Sequence, residues 1–356
     1  MKVTMSQIAS VVGVSRGTVD RALHHRSGVN PQVADEILKV AHELGYRPNF
    51  SARTLSGAHK RLRLGYVLPE ATGFWSDVMA GIELARQELT DCGVDIIVSR
   101  FVNYTFEDQS HCIDAVMSKQ VDGLAVVPIN DAGIKARLAQ ITAGGTPVVL
   151  VNSELIGIED VGALCYIGSD YMFSGRTAAG MLRLCHHAPA IELAVFSGSN
   201  NMLSQSTRIT GFLQEIDRMG LNCHLIDILN TARFSRKEAN PPDAYQIARA
   251  FLQEHPETTA VFTAGGSSMK VARAIYDCGR AGEIVHITFD LNAGTQAYLK
   301  NGSITVIIGQ ESIVQGYRPL KLLFDYIVNR IEPQDRRIIL HNEIIIPQNA
   351  VRPDGQ

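Results

Sequence analysis

The chain has 356 residues, 46% hydrophobic and 19% charged, an ordinary globular balance, long enough for two or three domains and for a core that needs no disulfide or metal staple. No apolar run approaches the 18 residues of a membrane span, and Met1–Gln7 has no apolar leader region, so a cytoplasmic protein with no membrane partner is expected. The net charge of −3 conceals a division: residues 1–61 carry nine Lys or Arg against four Asp or Glu, and the remainder 24 against 32, so a basic head that suits a polyanion precedes an acidic body.

From the N-terminus, Thr4 is placed to cap a helix over Met5–Val12, with Ile8, Ala9 and Val12 on one face. Gly13-Val14 makes the turn, because glycine tolerates the left-handed conformation there. Ser15 caps a second helix over Arg16–Leu23, and Ala9, Val14, Val19 and Leu23 close the wedge between the two. A third helix follows Pro31, with Val33, Ile37, Val40, Ala41 and Leu44 at helical spacing, and ends near Gly45. Helix, turn, capped helix and third helix form a small all-α helix-turn-helix pattern, assigned to residues 1–48. The second helix turns Arg16, Gly17, Asp20 and Arg21 outward. Each arginine can make a bidentate contact to guanine, worth about 1–3 kcal/mol of discrimination, and Gly17 lets the backbone approach.

Residues 49–61 are a polar linker. From Leu62 onward, apolar β-rich runs alternate with helical patterns. Strands are expected at Leu62–Pro69, Val94–Phe101, Val121–Ile129, Pro147–Asn152 and Ala163–Gly168, and again at Ile191–Ser197, Cys223–Leu229, Ala260–Ala264, Val285–Phe289 and Ile304–Gly309. Apolar strands each followed by a helix imply parallel sheets covered on both faces, and roughly ten of them are too many for one compact sheet. Two α/β lobes are expected within 62–347, about 62–167 with 311–335 and about 168–309 with 336–347. Short strands at Arg337–Leu340 and Glu343–Pro347 precede a tail, 348–356.

Met5–Ala9, the run Gly13 to Leu23, Val29-Asn30 and Glu43-Leu44-Gly45-Tyr46-Arg47-Pro48-Asn49 closely resemble the N-terminal domain of the LacI/GalR family of bacterial transcription regulators. The resemblance places Arg16, Gly17 and Arg21 at base-reading positions, within a DNA-contacting set of Thr4, Ser15, Arg16, Gly17, Thr18, Asp20, Arg21, Asn30, Tyr46 and Asn49. It makes Asn49–Ser56 a hinge helix, too short to stand alone in water, that folds on DNA with Leu55 wedged in the minor groove and Ala52 and Arg53 beside it. The family usually has Ser where this chain has Asp20. A carboxylate there either accepts from a cytosine amino group or pairs with a neighbouring Arg, which points to an atypical operator.

The same resemblance implies that 62–347 is a sensor like the sugar-binding periplasmic proteins, with its ligand between the lobes at the carboxyl ends of strands. It implies ligand roles for Phe74 and Trp75, whose aromatic faces suit a sugar ring, and for Arg208, Asp290 and Gln310; Asn152, at the end of an expected strand, can hydrogen-bond a hydroxyl. These groups suit a sugar, a polyol or a sugar phosphate. Where the family carries an Asn-Asp pair after Ala260–Thr263, this chain has Ala264-Gly265-Gly266-Ser267. One donor and acceptor site is thereby lost, and backbone amides at a helix start can form an anion nest instead.

Catalytic signatures are absent: there is no H-E-x-x-H or G-x-x-x-x-G-K-[ST], and no G-x-S-x-G elbow between a strand and a helix, the spacing at Gly13–Gly17 falling in the turn of the head. His24-His25 and His186-His187 lack metal-ligand spacing. Cys92, Cys112, Cys165, Cys185, Cys223 and Cys278 form no C-x-x-C pair and read as thiols in a reducing compartment. No enzyme, metal or cofactor is expected. The reading is a repressor that binds a palindromic operator as a homodimer, because one head offers few phosphate contacts; no leucine heptads near Gln356 suggest a coiled-coil tetramer. The alternatives are a transport-type sugar-binding protein, or a sugar-processing enzyme with an accessory DNA-binding head.

Overall fold

A computed structural model describes residues 3–23, 28–44, 61–70, 73–198, 202–231 and 242–350. In the head, helices α1 (Met5–Val12), α2 (Arg16–Leu23) and α3 (Pro31–Glu43) surround a small core of Ile8, Ala9, Val19, Ala22, Ile37 and Ala41. Thr4 and Gln7 close a capping box on α1, each side chain bonding the other's backbone N–H. Gly13 takes the turn at φ 75°, and Ser15 Oγ accepts from Thr18 N at 3.1 Å to cap α2. Asn30 Oδ1 accepts from Gln32 N at 2.9 Å before α3. Leu44, expected on the apolar face of the third helix, is instead exposed, one residue past the end of α3.

The body begins with β1 (Leu62–Pro69), α4 (Phe74–Thr90), β2 (Val94–Phe101), α5 (Phe106–Met117), β3 (Gly123–Val126), α6 (Ala132–Ala143), β4 (Val148–Val151) and β5 (Cys165–Ser169). It continues with α7 (Tyr171–Cys185), β6 (Ile191–Ser197), α8 (Leu203–Arg218), β7 (Cys223–Asn230), α9 (Ala244–Glu254), β8 (Ala260–Thr263), α10 (Ser268–Asp277), β9 (Val285–Phe289), α11 (Ala293–Lys300) and β10 (Val306–Gly309). The chain then returns through α12 (Ser312–Phe324), β11 (Arg337–Leu340) and β12 (Glu343–Ile345). The strands form two six-stranded sheets, ordered β11-β5-β4-β3-β1-β2 and β12-β10-β9-β8-β6-β7. Among the described residues, only β12 runs antiparallel, against β10. Strands β1, β3, β4, β5, β8 and β10 are buried along most or all of their length, as sheets covered by helices on both faces require.

One difference from the sequence reading concerns a boundary. Residues 336–347 were assigned together to the second lobe, but β11 pairs with β5 in the first sheet while β12 pairs with β10 in the second. Helix α12 belongs to the first lobe, where Leu320, Leu323 and Phe324 join the core beside β1, β3 and β4.

Each lobe is clasped by a pair of helices that touch backbone to backbone. A Cβ on Gly81 of α4 would lie 2.0 Å from the Ile313 carbonyl oxygen, and one on Gly316 of α12 would lie 2.0 Å from that of Val78. In the second lobe, Gly175 of α7 and Gly211 of α8 face the Arg208 and Met172 carbonyls at 2.1 and 2.2 Å in the same sense. Only residues without side chains permit that approach. Among the described residues, no helix is long and apolar enough to cross a membrane.

Candidate functional site

In the head, Val19 and Ala22 face the core, which turns Arg16, Gly17 and Arg21 to solvent on the opposite side of α2. Asp20 is half-buried beside them. Thr4, Ser15, Thr18 and Asn30 all sit at helix starts, and each of these side chains takes part in hydrogen bonds there: Thr4 with Gln7, Ser15 with Thr18, and Asn30 with Gln32. Tyr46, Asn49, Ala52, Arg53 and Leu55, with the whole hinge 49–61 apart from Arg61, lie outside the described residues, as do His24 and His25.

Between the lobes lies a cleft of about 920 Å³, and it brings Phe74, Trp75, Asn152, Arg208, Asp290 and Gln310 together. Their positions follow from topology, since strand ends of both sheets open onto it. Phe74 and Trp75 begin α4 just after β1; their rings meet edge to face, 4.8 Å between centroids and 84° between planes. Asn152 directly follows β4 and Asp290 directly follows β9, both left-handed at φ 62° and 70°, a conformation Asn and Asp tolerate better than most residues. Gln310 follows β10.

Arg208, one turn into α8, is 4% exposed. Its guanidinium lies 3.9 Å over the Phe289 ring and 4.7 Å from the Tyr171 ring, a cation–π sandwich. Nη1 donates to the Ala264 carbonyl at 2.8 Å and Nη2 donates to Gln310 Oε1. Gln310 Nε2 in turn donates to Asp290 Oδ1 at 2.5 Å. An arginine, an amide and a carboxylate are thus fixed in series along one wall. Burial pushes the Asp290 carboxyl up to about 6, against the opposing pull of Arg208 and the Gln310 hydrogen bond, with Asp77 adding to the rise. Burial also lowers the Arg208 guanidinium from its ordinary value.

Gly265 and Gly266 line the cleft at φ 140° and 76°. A Cβ on Gly265 would stand 3.1 Å from Arg208 Nη1, so glycine here makes room for the guanidinium to dock on Ala264. Ser267 is the N-cap of α10 and makes no side-chain capping bond to it; its Oγ bonds Thr231 Oγ1 at 3.1 Å. Three carboxyl groups share the cleft, Asp77, Asp243 and Asp290. Asp243 is paired with Lys270 at 3.2 Å.

Sequence reasoning missed several groups at this site. Tyr104 lines the wall beside Trp75, and Gln205 braces the glycine corner by accepting from Gly198 N at 2.6 Å. Tyr171 stacks on Arg208, and Gln315, fully buried, bonds Asn152. Nothing in the pattern marked them, since polar or aromatic residues at helix starts read equally well as surface. Among the described residues, no cluster of three His, Cys, Asp or Glu is arranged to hold a metal ion.

A helix-turn-helix head before a two-lobed α/β body with a polar cleft defines a class, the ligand-binding transcription regulators. Residues 4–49 match the model of bacterial regulatory proteins of the lacI family, and residues 64–330 match the periplasmic binding protein domain. The chain belongs to the LacI family of DNA-binding transcriptional regulators, with a periplasmic-binding-protein-like body. It is 25% identical to the HTH-type transcriptional regulator AglR of Rhizobium meliloti, over 79% of this chain and 75% of that one. It is 28% identical to PtxS of Pseudomonas plecoglossicida, over 78% and 76%. With catabolite control protein A of Priestia megaterium the identity is 26%, and the match spans only 62% of this chain and 63% of that protein. A putative LacI regulator from Bacteroides fragilis superimposes with a TM-score of 0.73 at 22% identity, over 82% of this chain and 98% of the other. A solute-binding protein from Burkholderia graminis, in complex with D-arabinose, gives 0.71 at 20%, over 82% and 96%. At these identities the solved structures show a shared fold.

Proposed function

We propose that this regulator is a repressor that binds a palindromic operator as a homodimer and is controlled by a neutral sugar or polyol in the cleft. The observation that carries this reading is the convergence, behind a DNA-reading head, of the Trp75 ring on one lobe with the Arg208–Gln310–Asp290 series on the other. An aromatic face packs the apolar side of a sugar ring, while the series offers donors and acceptors to its hydroxyls. Asp77 and Asp290 in the same cleft oppose an anion, which favours a neutral ligand over a sugar phosphate at the Gly265–Ser268 corner.

On this reading Arg16 and Arg21 read base edges from α2, and the segment 49–61 of each chain contacts the minor groove through Ala52, Arg53 and Leu55. Occupying the groove beside a promoter favours repression. Closure of the cleft changes the separation of the two hinges, and a coupling of about 1–3 kcal/mol suffices for a switch. Isothermal titration of the full chain with D-ribose, D-xylose, D-galactose, sorbitol and D-galactose 6-phosphate tests the ligand class. Binding of a neutral member supports it; a clear preference for the phosphate refutes it.

A further inference from the structure

One buried amide joins the two walls of the cleft. Gln315 lies in the first turn of α12, fully buried. Its Nε2 donates to the Gln310 carbonyl at 2.8 Å, and its Oε1 accepts from Asn152 Nδ2 at 3.0 Å. The carbonyl partner fixes which end of the amide is which, because a carbonyl only accepts. Gln315 is itself anchored to the first lobe: its own carbonyl accepts from the fully buried Tyr66 hydroxyl at 2.9 Å, and the next residue, Gly316, is the helix-crossing glycine. Asn152 is held from behind, its carbonyl accepting from the Tyr166 hydroxyl at 2.9 Å and from that of Tyr171. Gln310 carries the connection onward, bonding Arg208 and Asp290 on the second lobe.

The result is a continuous series, Asn152–Gln315–Gln310–Asp290, running from one ligand-facing wall to the other. Three residues along it or next to it, Asn152, Asp290 and Glu311, hold positive φ without being glycine, the kind of local strain that surrounding bonds must hold in place. Other bonds tie the crossings as well: the Tyr171 hydroxyl of α7 to the Asn152 carbonyl, Ser174 Oγ to Asn342 Oδ1 at 3.0 Å, and His341 N to Glu311 Oε2 at 2.8 Å, which is exposed, so that water competes for it. We propose that Gln315 is a positioning residue that holds the angle between the lobes, so that a ligand drawing on Asn152 or Gln310 acts through its amide. The proposal rests on reading the cleft as the effector site, but its test needs neither effector nor DNA.

Trp75 is the chain's sole tryptophan and is 8% exposed on the cleft wall. The lips nearby are close, since a Cβ on Gly73 would lie 3.0 Å from Asn292 Nδ2 on the opposite lobe. Acrylamide quenching of its fluorescence in the ligand-free full chain therefore reads opening. Gln315→Glu sets an acceptor against the Gln310 carbonyl; Gln315→Met keeps the volume and removes both bonds. Gln109→Glu is the control, because Gln109 is equally buried but bridges Val127 and Ile129 within the first lobe alone. Both Gln315 variants are expected to raise the quenching constant about twofold or more as the open population grows. Gln109→Glu is expected to lower the unfolding temperature and leave quenching unchanged. Wild-type quenching in either folded Gln315 variant, or an equal rise in the Gln109 control, overturns the proposal. If no panel sugar binds the wild-type chain, the ligand reading fails alone, because the quenching contrast is measured without sugar.

Discussion

Asp290 and His286 sit four residues apart on and just beyond β9, and burial moves them in opposite directions. The Asp290 carboxyl rises from 3.8 to about 6, so the folded state holds its proton more tightly than the unfolded chain. Its cost to stability is full above pH 6 and is relieved as pH falls toward 3.8. His286, between Thr263 Oγ1 at 2.9 Å and the Ser303 carbonyl at 3.0 Å, is lowered from 6.5 to about 4, chiefly by burial. Between those values the unfolded chain takes up a proton that the folded state refuses, so stability falls as pH falls. The two contributions oppose each other in nearly the same window, so His286→Gln is predicted to gain stability relative to the wild type as pH falls from 6.5 to 4, read as the difference in urea midpoints across that window. The Asp290 shift predicts a different profile for binding: a protonated carboxyl loses an acceptor, so sugar affinity should decline as pH drops through about 6. A flat binding profile from pH 7.5 to 5 would remove Asp290 from the ligand contacts. Arg208→Lys cannot span both Ala264 and Gln310, and the loss of a charge-assisted bond predicts sugar binding weaker by about tenfold or more.

Among the elements, the helix crossings fix each lobe. Gly81→Ala sets a methyl 2.0 Å from the Ile313 carbonyl, and backbone has little freedom to yield, so a loss of about 1–3 kcal/mol is predicted in chemical denaturation, against nearly none at Gly180, where a Cβ meets nothing within 4 Å. The strands were legible in the sequence because most of them are near-continuous apolar runs, and the head was legible because caps and turn occupy fixed places, Thr4, Gly13 and Ser15. The crossing glycines were not legible, because a helical glycine does not announce which backbone lies against it. Nor was the parting of β11 from β12: Arg337–Leu340 and Glu343–Ile345 are two short strands of similar composition, separated by two residues, yet they join different sheets. The resemblance supplied Arg208, Asp290 and Gln310, but Gln315 reads as an ordinary polar helix residue until its burial is seen. Removing the α2 cap by Ser15→Ala is predicted to cost the head about 1 kcal/mol and to weaken DNA binding without changing sugar binding.

At the scale of the whole molecule, the charge division assigns the partners. On the proposed reading the basic head of residues 1–61 is the part that meets the phosphates, while the acidic body, carrying 32 Asp or Glu against 24 Lys or Arg, repels them. In the proposed dimer, two tethered heads gain affinity through effective concentration, and binding should weaken steeply with salt as counterions are released. The cleft and the head are then two sites on one chain, and what a sugar does to DNA affinity, DNA must do to sugar affinity. The most direct test is fluorescence anisotropy of the full chain with a palindromic DNA selected from a random pool, titrated with and without the sugar that binds most tightly in the panel. The account predicts salt-sensitive binding to that palindrome and a shift of about fivefold or more when the sugar is present. Specific DNA binding that remains unmoved at saturating sugar would contradict the claim that the cleft controls the head.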